Sequence, residues 1–200
     1  KECFSYLKKL EKIENYYGNI DERIPEVNEI INSDIYEFIK QSISCKKPYL
    51  CNTELHIQTS NCKPIPPHQD NFYHCIDGKR GLKILVPLSS LNVKSGGLIF
   101  LDTPIDYPVI NHKPSIIKNF SSQISQADFK KIKSTQTSYD YSIGDASYHF
   151  LNSIHFSNGN KSNVDKLFLV FRFQDPAAKE DSFALNRYNN CVSKHKQLMD

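Results

Sequence analysis

The sequence predicts a mainly β domain, a sandwich or barrel of antiparallel strands, with helices packed on its N-terminal side. Short β-favouring runs separated by clusters of Gly, Pro, Asn and Asp fill the chain from residue 49 onward. No long helical pattern lies between these runs, so parallel strands with crossover helices are not expected. Helical patterns precede them, and 200 residues are enough to bury one core. We therefore expect one domain spanning residues 1–200.

Residues 25–43 form the clearest helical pattern, because their apolar side chains recur at steps of three and four and share one face. Pro25 suits the first turn of such a helix. A weaker pattern of the same kind comes earlier, at Phe4, Leu7, Leu10 and Ile13. We expect both helices to pack against a sheet, as a buttress that spans about residues 1–48.

The barrel is predicted over about residues 49–175. Its strands are expected within the runs YLCNTELHIQTS, NFYHCI, LKILVPLSSL, GGLIFL, YPVI, YSIGDASYHFL and KLFLVFRF. Residues 111–141 interrupt this series, since they are polar, rich in Lys, Ser and Gln, and poor in periodicity apart from a short helical pattern in SQADFKKIK. A segment of that length inside a compact domain is typical of a functional lid or an insertion.

Charge and composition argue against two kinds of partner. The 25 basic and 22 acidic residues are scattered, and a net charge of +3 is too small to indicate a nucleic-acid partner. The apolar runs are too short to span a membrane. The six cysteines include no C-x-x-C pair, and a chain with its own core does not need disulfides, so we expect reduced thiols and a cytoplasmic location. The sequence as given begins at Lys1, so its start predicts nothing about targeting.

A candidate metal site lies in the stretch PPHQDNFY at residues 66–73, which places His68 and Asp70 two positions apart. In an extended strand, residues i and i+2 point to the same side, so an imidazole and a carboxylate can face one cavity. A third ligand is needed to hold a metal well. The candidates are the remaining histidines, which are His56, His74, His112, His149, His155 and His195.

His155 is the favoured third ligand because of its setting. It follows a Gly-Asp turn, an aromatic strand and a short break at Asn152 and Ser153. A histidine delivered by a distant strand completes a two-histidine, one-carboxylate triad, which leaves three metal positions open, as non-haem Fe(II) oxygenases require. His149 is the rival ligand. The same ligands also bind zinc, so a zinc-dependent hydrolase or a cupin-like isomerase stays open.

Four motifs in this order and spacing resemble the phytanoyl-CoA dioxygenase-like family of Fe(II)/2-oxoglutarate-dependent oxygenases: HQD at 68–70, GGL at 96–98, GD at 144–145 and HFSNGNKS at 155–162. The resemblance covers about residues 55–173. It implies a double-stranded β-helix, a jelly-roll, cupin-like barrel buttressed by helices. It also implies an enzyme that uses Fe(II), 2-oxoglutarate and dioxygen to hydroxylate a C–H bond of a small organic molecule, with decarboxylation of 2-oxoglutarate to succinate.

Carried over by position, the resemblance makes His68, Asp70 and His155 the iron ligands. It assigns Ser157, two residues after the distal histidine, to the 2-oxoglutarate carboxylate. The presence of Asp70 favours hydroxylation, because related halogenases replace this carboxylate with a small residue that leaves room for chloride.

The cosubstrate anchor departs from the family pattern. The family usually has an arginine eleven residues after the distal histidine, where this chain has Lys166. Arginine forms a bidentate pair with a carboxylate, whereas lysine is a point charge with rotating donors. Arg172 lies six positions further along the same strand, on the same side, and is the second candidate. The departure keeps open a non-enzyme alternative, a catalytically degenerate jelly roll that serves as a binding module.

Four further residues are weaker candidates for the pocket. Gln58, on the strand that leads to the H-x-D loop, and Lys63, on the loop itself, are expected near cosubstrate or substrate. Tyr73 and Tyr148 are expected to line the cavity. The sequence does not name the substrate or the oligomeric state, and the family's turn after GGLIFL is replaced here by DTP at 102–104.

Overall fold

The structure is a computed structural model and describes residues 16–117 and 120–199. The weak helical pattern at Phe4–Ile13 lies outside these residues. The strands are β1 (Tyr16–Gly18), β2 (Tyr49–Gln58), β3 (Ile65–Gln69), β4 (Gly81–Pro87), β5 (Leu98–Leu101), β6 (His112–Ile117), β7 (Phe120–Ile124), β8 (Gln136–Ser138), β9 (Ser147–Phe150), β10 (Ile154–Ser157) and β11 (Lys166–Gln174). The α-helices are α1 (Ile20–Arg23), α2 (Ser33–Ser42), α3 (Asn71–His74), α4 (Gln126–Phe129) and α5 (Ser182–Met199).

Two antiparallel sheets make up the body of the domain. One has the order β1-β2-β11-β4-β9 and the other β3-β10-β5-β8. Consecutive strands alternate between the sheets, from β2 to β3, β4 to β5 and β9 through β10 to β11. This alternation is consistent with the predicted jelly roll, and the expectation of antiparallel pairing is confirmed.

The central strand β11 shows how the core is divided. Its odd-numbered residues, such as Leu169 and Phe171, belong to the larger apolar cluster, which also contains Ile39 of α2. Its even-numbered residues face the other way, where Val170 packs with Leu85 between the two sheets. Period-two alternation therefore places the N-terminal helices outside the five-stranded sheet and the site residues inside it.

Several predicted elements need correction. The helix expected over 25–43 is split into a 3-10 helix at Pro25–Ile30 and α2, because the Asn32 side chain accepts a hydrogen bond from the Ile35 backbone N at 3.0 Å and begins a new helix. The run NFYHCI forms α3 rather than a strand, and YPVI is not a strand.

Within residues 111–117 and 120–141 the structure has strands and a short helix where the sequence showed little periodicity, and a lid or insertion here stays a prediction. Strands β6 and β7 pair as a hairpin, α4 confirms the short helix expected in SQADFKKIK, and β8 forms an edge of the four-stranded sheet. Helix α5, which was not predicted, packs against the hairpin, where His195 Nδ1 donates to the Ser115 carbonyl at 2.7 Å.

Two findings concern membrane-spanning helices and the cysteines. Within the described residues, no helix combines the length and apolar character needed to cross a membrane. The five cysteines in the described part of the chain, Cys45, Cys51, Cys62, Cys75 and Cys191, are all free thiols.

The turn after β10 depends on Gly159, which has φ +76° and whose absent Cβ would lie 2.3 Å from the Cys62 carbonyl oxygen. We expect Gly159→Ala to lower the free energy of unfolding by more than the roughly 1–2 kcal/mol of a left-handed residue alone, because backbone must also move. Gly144→Ala is the matched control, since Gly144 has φ +103° and nothing lies within 4 Å of its Cβ position. Urea unfolding measures both, and equal losses would contradict the clash.

Candidate metal centre

The two sheets bring His68, Asp70 and His155 together. His68 lies near the end of β3, Asp70 directly follows that strand, and His155 pairs with His68 across the antiparallel β3–β10 ladder. One nitrogen of each histidine and one carboxylate oxygen all lie within 4.8 Å of one another, and all three side chains are buried. The structure therefore places the three predicted ligands in one cluster.

Both histidines present Nε2 to this cluster. The Nδ1 atom of His68 is 3.0 Å from the Pro66 carbonyl oxygen, and Nδ1 of His155 is 3.0 Å from that of Ser153. A carbonyl oxygen can only accept, so each Nδ1 carries the proton and each Nε2 keeps a free lone pair. Burial lowers the pKa of His68 to about 4 and that of His155 well below its usual value. Both rings are therefore neutral at pH 7, as metal ligands must be.

The buried residue between the ligands, Gln69, fixes the end of β3. Its Nε2 donates to the carbonyls of Asn152 at 2.8 Å and Pro108 at 3.1 Å, and its Oε1 accepts from the Ile110 backbone N at 2.8 Å. Its own backbone N donates to Nε2 of His112 at 3.0 Å. Gln69 thereby ties the ligand strand to the β9–β10 turn, and His112 has no free lone pair for a metal.

Asp70 has two further partners that the sequence did not reveal. Lys83 Nζ lies 3.0 Å from Oδ1, and Nε2 of His149 lies 3.0 Å from Oδ2. Burial raises the pKa of Asp70, but Lys83 and the hydrogen bond from His149 outweigh it, so the pKa lies well below its usual range. His149, which the sequence offered as a rival to His155, thus donates a hydrogen bond to the Asp70 carboxylate. The sequence signal that could have singled out Lys83 is the presence of a lysine within the mostly apolar run GLKILVP, which forms the buried strand β4.

Lys83 also interacts electrostatically with a second, largely buried carboxylate, that of Glu54. The Asn52 Nδ2 and the His56 Nε2 each donate to Glu54 at 2.8 Å. Burial raises the pKa of Glu54, but Lys83 and His56 outweigh it and lower the pKa to about 2. Burial alone would lower the pKa of Lys83, but Asp70 and Glu54 raise it. A charged lysine therefore interacts with two charged carboxylates, in direct contact with that of Asp70.

Comparison with known proteins rests on structure alone. No family model and no curated protein matches the sequence. Among solved structures, the non-haem monooxygenase ThoJ matches with TM-score 0.70 and 14% identity over 99% of this chain and 86% of ThoJ. EvdO2 from Micromonospora carbonacea var. aurantiaca, solved with 2-oxoglutarate, matches with TM-score 0.67 and 18% identity over 84% and 69%. The epimerase SnoN from nogalamycin biosynthesis, non-haem and α-ketoglutarate-dependent, matches with TM-score 0.69 and 14% identity over 92% and 74%.

This chain has the fold of the non-haem 2-oxoglutarate-dependent enzymes. At 14–18% identity the likeness shows the fold and not the activity. The order of strands in both sheets and the position of the triad next to β3 and β10 are the features on which the functional argument depends.

Three of the residues expected near the cosubstrate lie close together at the end of the domain away from Asp70. Lys166 is opposite Gln58 in the β11–β2 ladder. Gln58 is buried, and neither polar atom of its amide has a hydrogen-bond partner within the described residues. A Cβ on Gly96 would lie 1.4 Å from Gln58 Oε1, and Ser157 Oγ donates to the Gly96 carbonyl at 3.0 Å. Gln58 and Ser157 therefore converge on Gly96.

Lys166 borders a cavity of about 500 Å³ at this end of the domain. The other residues that line it are Ser90, Asn92, Lys94, Ser95, Lys161 and Ser162. Its lining carries three lysines and no acidic residue, so it favours an anionic group.

Arg172 lies at the opposite end of β11, six residues or about 20 Å from Lys166 along the strand. It pairs with Lys83 on one side and Asn52 on the other, and its guanidinium donates to Gln174 Oε1 at 3.0 Å. Its Nε is buried with no partner within the described residues. Lys166 and Arg172 are thus alternatives at different depths of the domain, and one ligand carboxylate cannot contact both.

Tyr73 lies beside the metal ligands. Its ring meets that of His68 edge-on at 6.3 Å, and its hydroxyl donates to the Ser122 carbonyl of the β6–β7 hairpin at 2.8 Å. From the same hairpin, Phe120 contacts His68 edge-on at 4.9 Å. The hairpin therefore covers the histidine side of the site.

One other expectation needs correction. Tyr148 lies on the outer face of the sheet, edge-on to Phe38 at 4.7 Å and 49% exposed, because its neighbour His149 takes the inward position. Tyr148 therefore does not line the cavity. Lys63 is exposed on the loop that precedes β3, and its expected place near cosubstrate or substrate stays a prediction.

Glu54 yields a testable pH dependence. Its folded pKa of about 2 lies below the ordinary value of 4.5, so its stabilisation is complete above pH 4.5 and is lost as the pH falls towards 2. We expect Glu54→Gln to lower the free energy of unfolding at pH 7 by about 3 kcal/mol, with the difference shrinking below pH 4.5 and approaching zero only near pH 2. Denaturant titrations across this pH range measure it.

Glu37→Gln is the control, since Glu37 is 57% exposed and pairs with Lys40 on the surface of α2. Its loss should stay below about 1 kcal/mol at every pH. A Glu54→Gln difference that does not change with pH would contradict the assigned protonation state.

Proposed function

We propose that this protein is an Fe(II)/2-oxoglutarate-dependent dioxygenase that acts on a small organic molecule. One observation carries the proposal: two neutral histidines with Nε2 free and one charged aspartate converge within 4.8 Å in a buried site. Two nitrogens and one carboxylate oxygen on one side of a metal are the donor set of non-haem iron enzymes. The fold supports this choice, since the solved relatives include enzymes named for their dependence on 2-oxoglutarate and one complex with Fe³⁺.

Each residue then has a defined task. His68, His155 and Asp70 would hold the metal, while Pro66 and Ser153 fix the tautomers of the two rings. When bound, iron, 2-oxoglutarate and dioxygen supply oxidation of a C–H bond, with release of succinate and carbon dioxide. The protein orients these partners and excludes water, which the buried ligands and the covering hairpin accomplish.

The far carboxylate of 2-oxoglutarate would be held by Lys166, Ser157 and Gln58. Ser157 is two residues, or about 7 Å, from His155 along β10, so the anchor lies within reach of a short dicarboxylate that also touches the metal. The unpartnered Gln58 amide supports the assignment, because a buried amide without partners is costly unless a ligand satisfies it.

We further propose membership of the phytanoyl-CoA dioxygenase-like family and hydroxylation as the outcome. The motifs HQD, GGL, GD and HFSNGNKS in this order support the family, and Asp70 fills the position that a halogenase leaves open. The solved structures with this fold include an epimerase and a carbocyclase, so the fold alone does not determine the reaction outcome, and hydroxylation is a proposal. We also propose a single domain over residues 1–200 and a cytoplasmic location. The free thiols are consistent with that location.

Anaerobic titration with Fe(II) and 2-oxoglutarate tests the site directly. We expect wild type to develop the weak visible charge-transfer band of the chelated complex and to melt at higher temperature with both ligands than with neither. His68→Ala should abolish the band, because two remaining ligands hold a metal poorly. His195→Ala is the control, since this buried histidine bonds Ser115 outside the cluster, and it should keep the band.

The alternatives predict different results. A band absent from wild type, with iron unbound, would reject the oxygenase and favour the degenerate jelly roll that binds without turnover. Tight zinc binding without any effect of 2-oxoglutarate would favour the zinc hydrolase or cupin-like enzyme.

The anchor is tested by the affinity for 2-oxoglutarate in the presence of metal. Lys166→Ala should weaken binding roughly 10- to 100-fold, because a charge-assisted hydrogen bond to a carboxylate contributes about 1.5–3 kcal/mol. Lys166→Arg should retain most of the affinity. Lys161→Ala, which removes a lysine from the lining of the same cavity, should change it by less than about twofold. A large loss in Arg172→Ala with none in Lys166→Ala would move the anchor to Arg172.

A further inference from the structure

Lys83 occupies an unusual position for a lysine in a metal-binding domain. Its ammonium lies 3.0 Å from Oδ1 of Asp70, and the lysine and aspartate side chains are 14% and 5% exposed. A cation that pairs with the ligand carboxylate neutralises the negative charge that the carboxylate would otherwise offer to a metal. The metal and Lys83 therefore compete electrostatically for Asp70.

Several contacts hold Lys83 in this place. Glu54 also attracts it, and its backbone is paired on both sides within the five-stranded sheet, with Arg172 of β11 and His149 of β9 as its neighbours on the two adjacent strands. Moving the ammonium away from Asp70 would leave a buried carboxylate with one fewer partner. Lys83 is thus a fixed positive charge next to the metal position.

The buried charges constrain which ligands can enter together. Before a metal binds, Asp70 and Glu54 are balanced by Lys83 and Arg172, all of which face the inside of the domain. A divalent cation alone would add two uncompensated positive charges beside Lys83. A dianion that arrives with the metal restores the balance, whereas a neutral ligand does not.

We propose that Lys83 makes divalent-metal binding at Asp70 depend on a dianionic cosubstrate. The inference rests on the proposed function, for which 2-oxoglutarate is that dianion. Metal alone binds weakly because Lys83 repels it, and the dianion removes the repulsion. Since coupling is reciprocal, the metal strengthens binding of the dianion by the same factor. Lys83 acts through Asp70 and is a positioning residue.

The experiment measures the dissociation constant of Co(II), used as a spectroscopic probe, with and without saturating 2-oxoglutarate. In wild type we expect 2-oxoglutarate to tighten Co(II) binding by well over tenfold. In Lys83→Met, Co(II) alone should bind at least about tenfold more tightly than in wild type, since a unit charge a few ångströms away is removed. The coupling factor should fall correspondingly. Lys83→Arg should behave as wild type, and Lys179→Met, an exposed lysine, should change nothing.

A structural role for Lys83 predicts the opposite sign, because a loosened site binds metal less tightly. Lys83→Met that binds Co(II) alone no more tightly than wild type, or that keeps the full coupling factor, overturns the inference. If Lys83→Met does not fold, Glu54→Gln provides the second test. It removes a negative charge next to Lys83, so Co(II) alone should bind several-fold less tightly and the coupling factor should rise. An unchanged coupling factor in Glu54→Gln overturns the inference as well.

Failure of the proposed function looks different. Wild type that binds no Co(II) even with 2-oxoglutarate rejects both the oxygenase and the conditional binding, whatever Lys83→Met does. Wild type that binds Co(II) equally well with and without 2-oxoglutarate, while the charge-transfer band with Fe(II) still forms, rejects the inference and leaves the oxygenase standing.

Discussion

The buried carboxylate of Asp70 is the constraint on which the rest of the site depends. An ionised carboxylate inside a protein is costly unless charged and hydrogen-bonding partners surround it. Lys83 supplies the charge on one oxygen and His149 the hydrogen bond on the other. Both partners are cross-strand neighbours on β4 and β9, so the five-stranded sheet holds the carboxylate while the four-stranded sheet supplies His68 and His155.

The alternation of strands between two sheets explains why so short a chain builds this site. Each ligand lies at the end of a strand, where the chain passes from one sheet to the other. Gln69 locks one such crossing by bonding to the carbonyls of Pro108 and Asn152, which belong to the two segments next to it. The geometry of the three candidate ligands is therefore set by backbone register and by one buried amide.

The sequence predicted the convergence of His68, Asp70 and His155 and the general fold because these leave local signals. The H-x-D spacing, a distant histidine in a strand and helical periodicity before β-favouring runs are all readable in short windows. Lys83 and the role of His149 left almost none, since their importance comes from pairing between strands far apart in the chain. The sequence prediction placed Tyr148 in the cavity wrongly, because alternation along a strand requires only that neighbouring residues point to opposite faces. Which of Tyr148 and His149 points inward is decided by the fold, where His149 takes the inner position. The NFYHCI run begins as a helix because β3 ends before Asp70, whose backbone already has right-handed helical dihedral angles.

The replacement of arginine by Lys166 can be understood from the same charge balance. The inside of the domain already holds Lys83 and Arg172 against Asp70 and Glu54, so a metal with a dianionic cosubstrate adds no net charge to it. A far carboxylate in such a surrounding needs direction more than extra charge. The amide of Gln58, which has no hydrogen-bond partner among the described residues, offers a directed hydrogen bond, and Ser157 can offer one if its hydroxyl turns from the Gly96 carbonyl to the ligand. A single ammonium at Lys166 can then complete the anchor from the rim of the neighbouring cavity, where Lys94 and Lys161 keep the potential positive. On the proposed function, this departure from the pattern of the phytanoyl-CoA dioxygenase-like family would change how the cosubstrate is held, and not whether it is held.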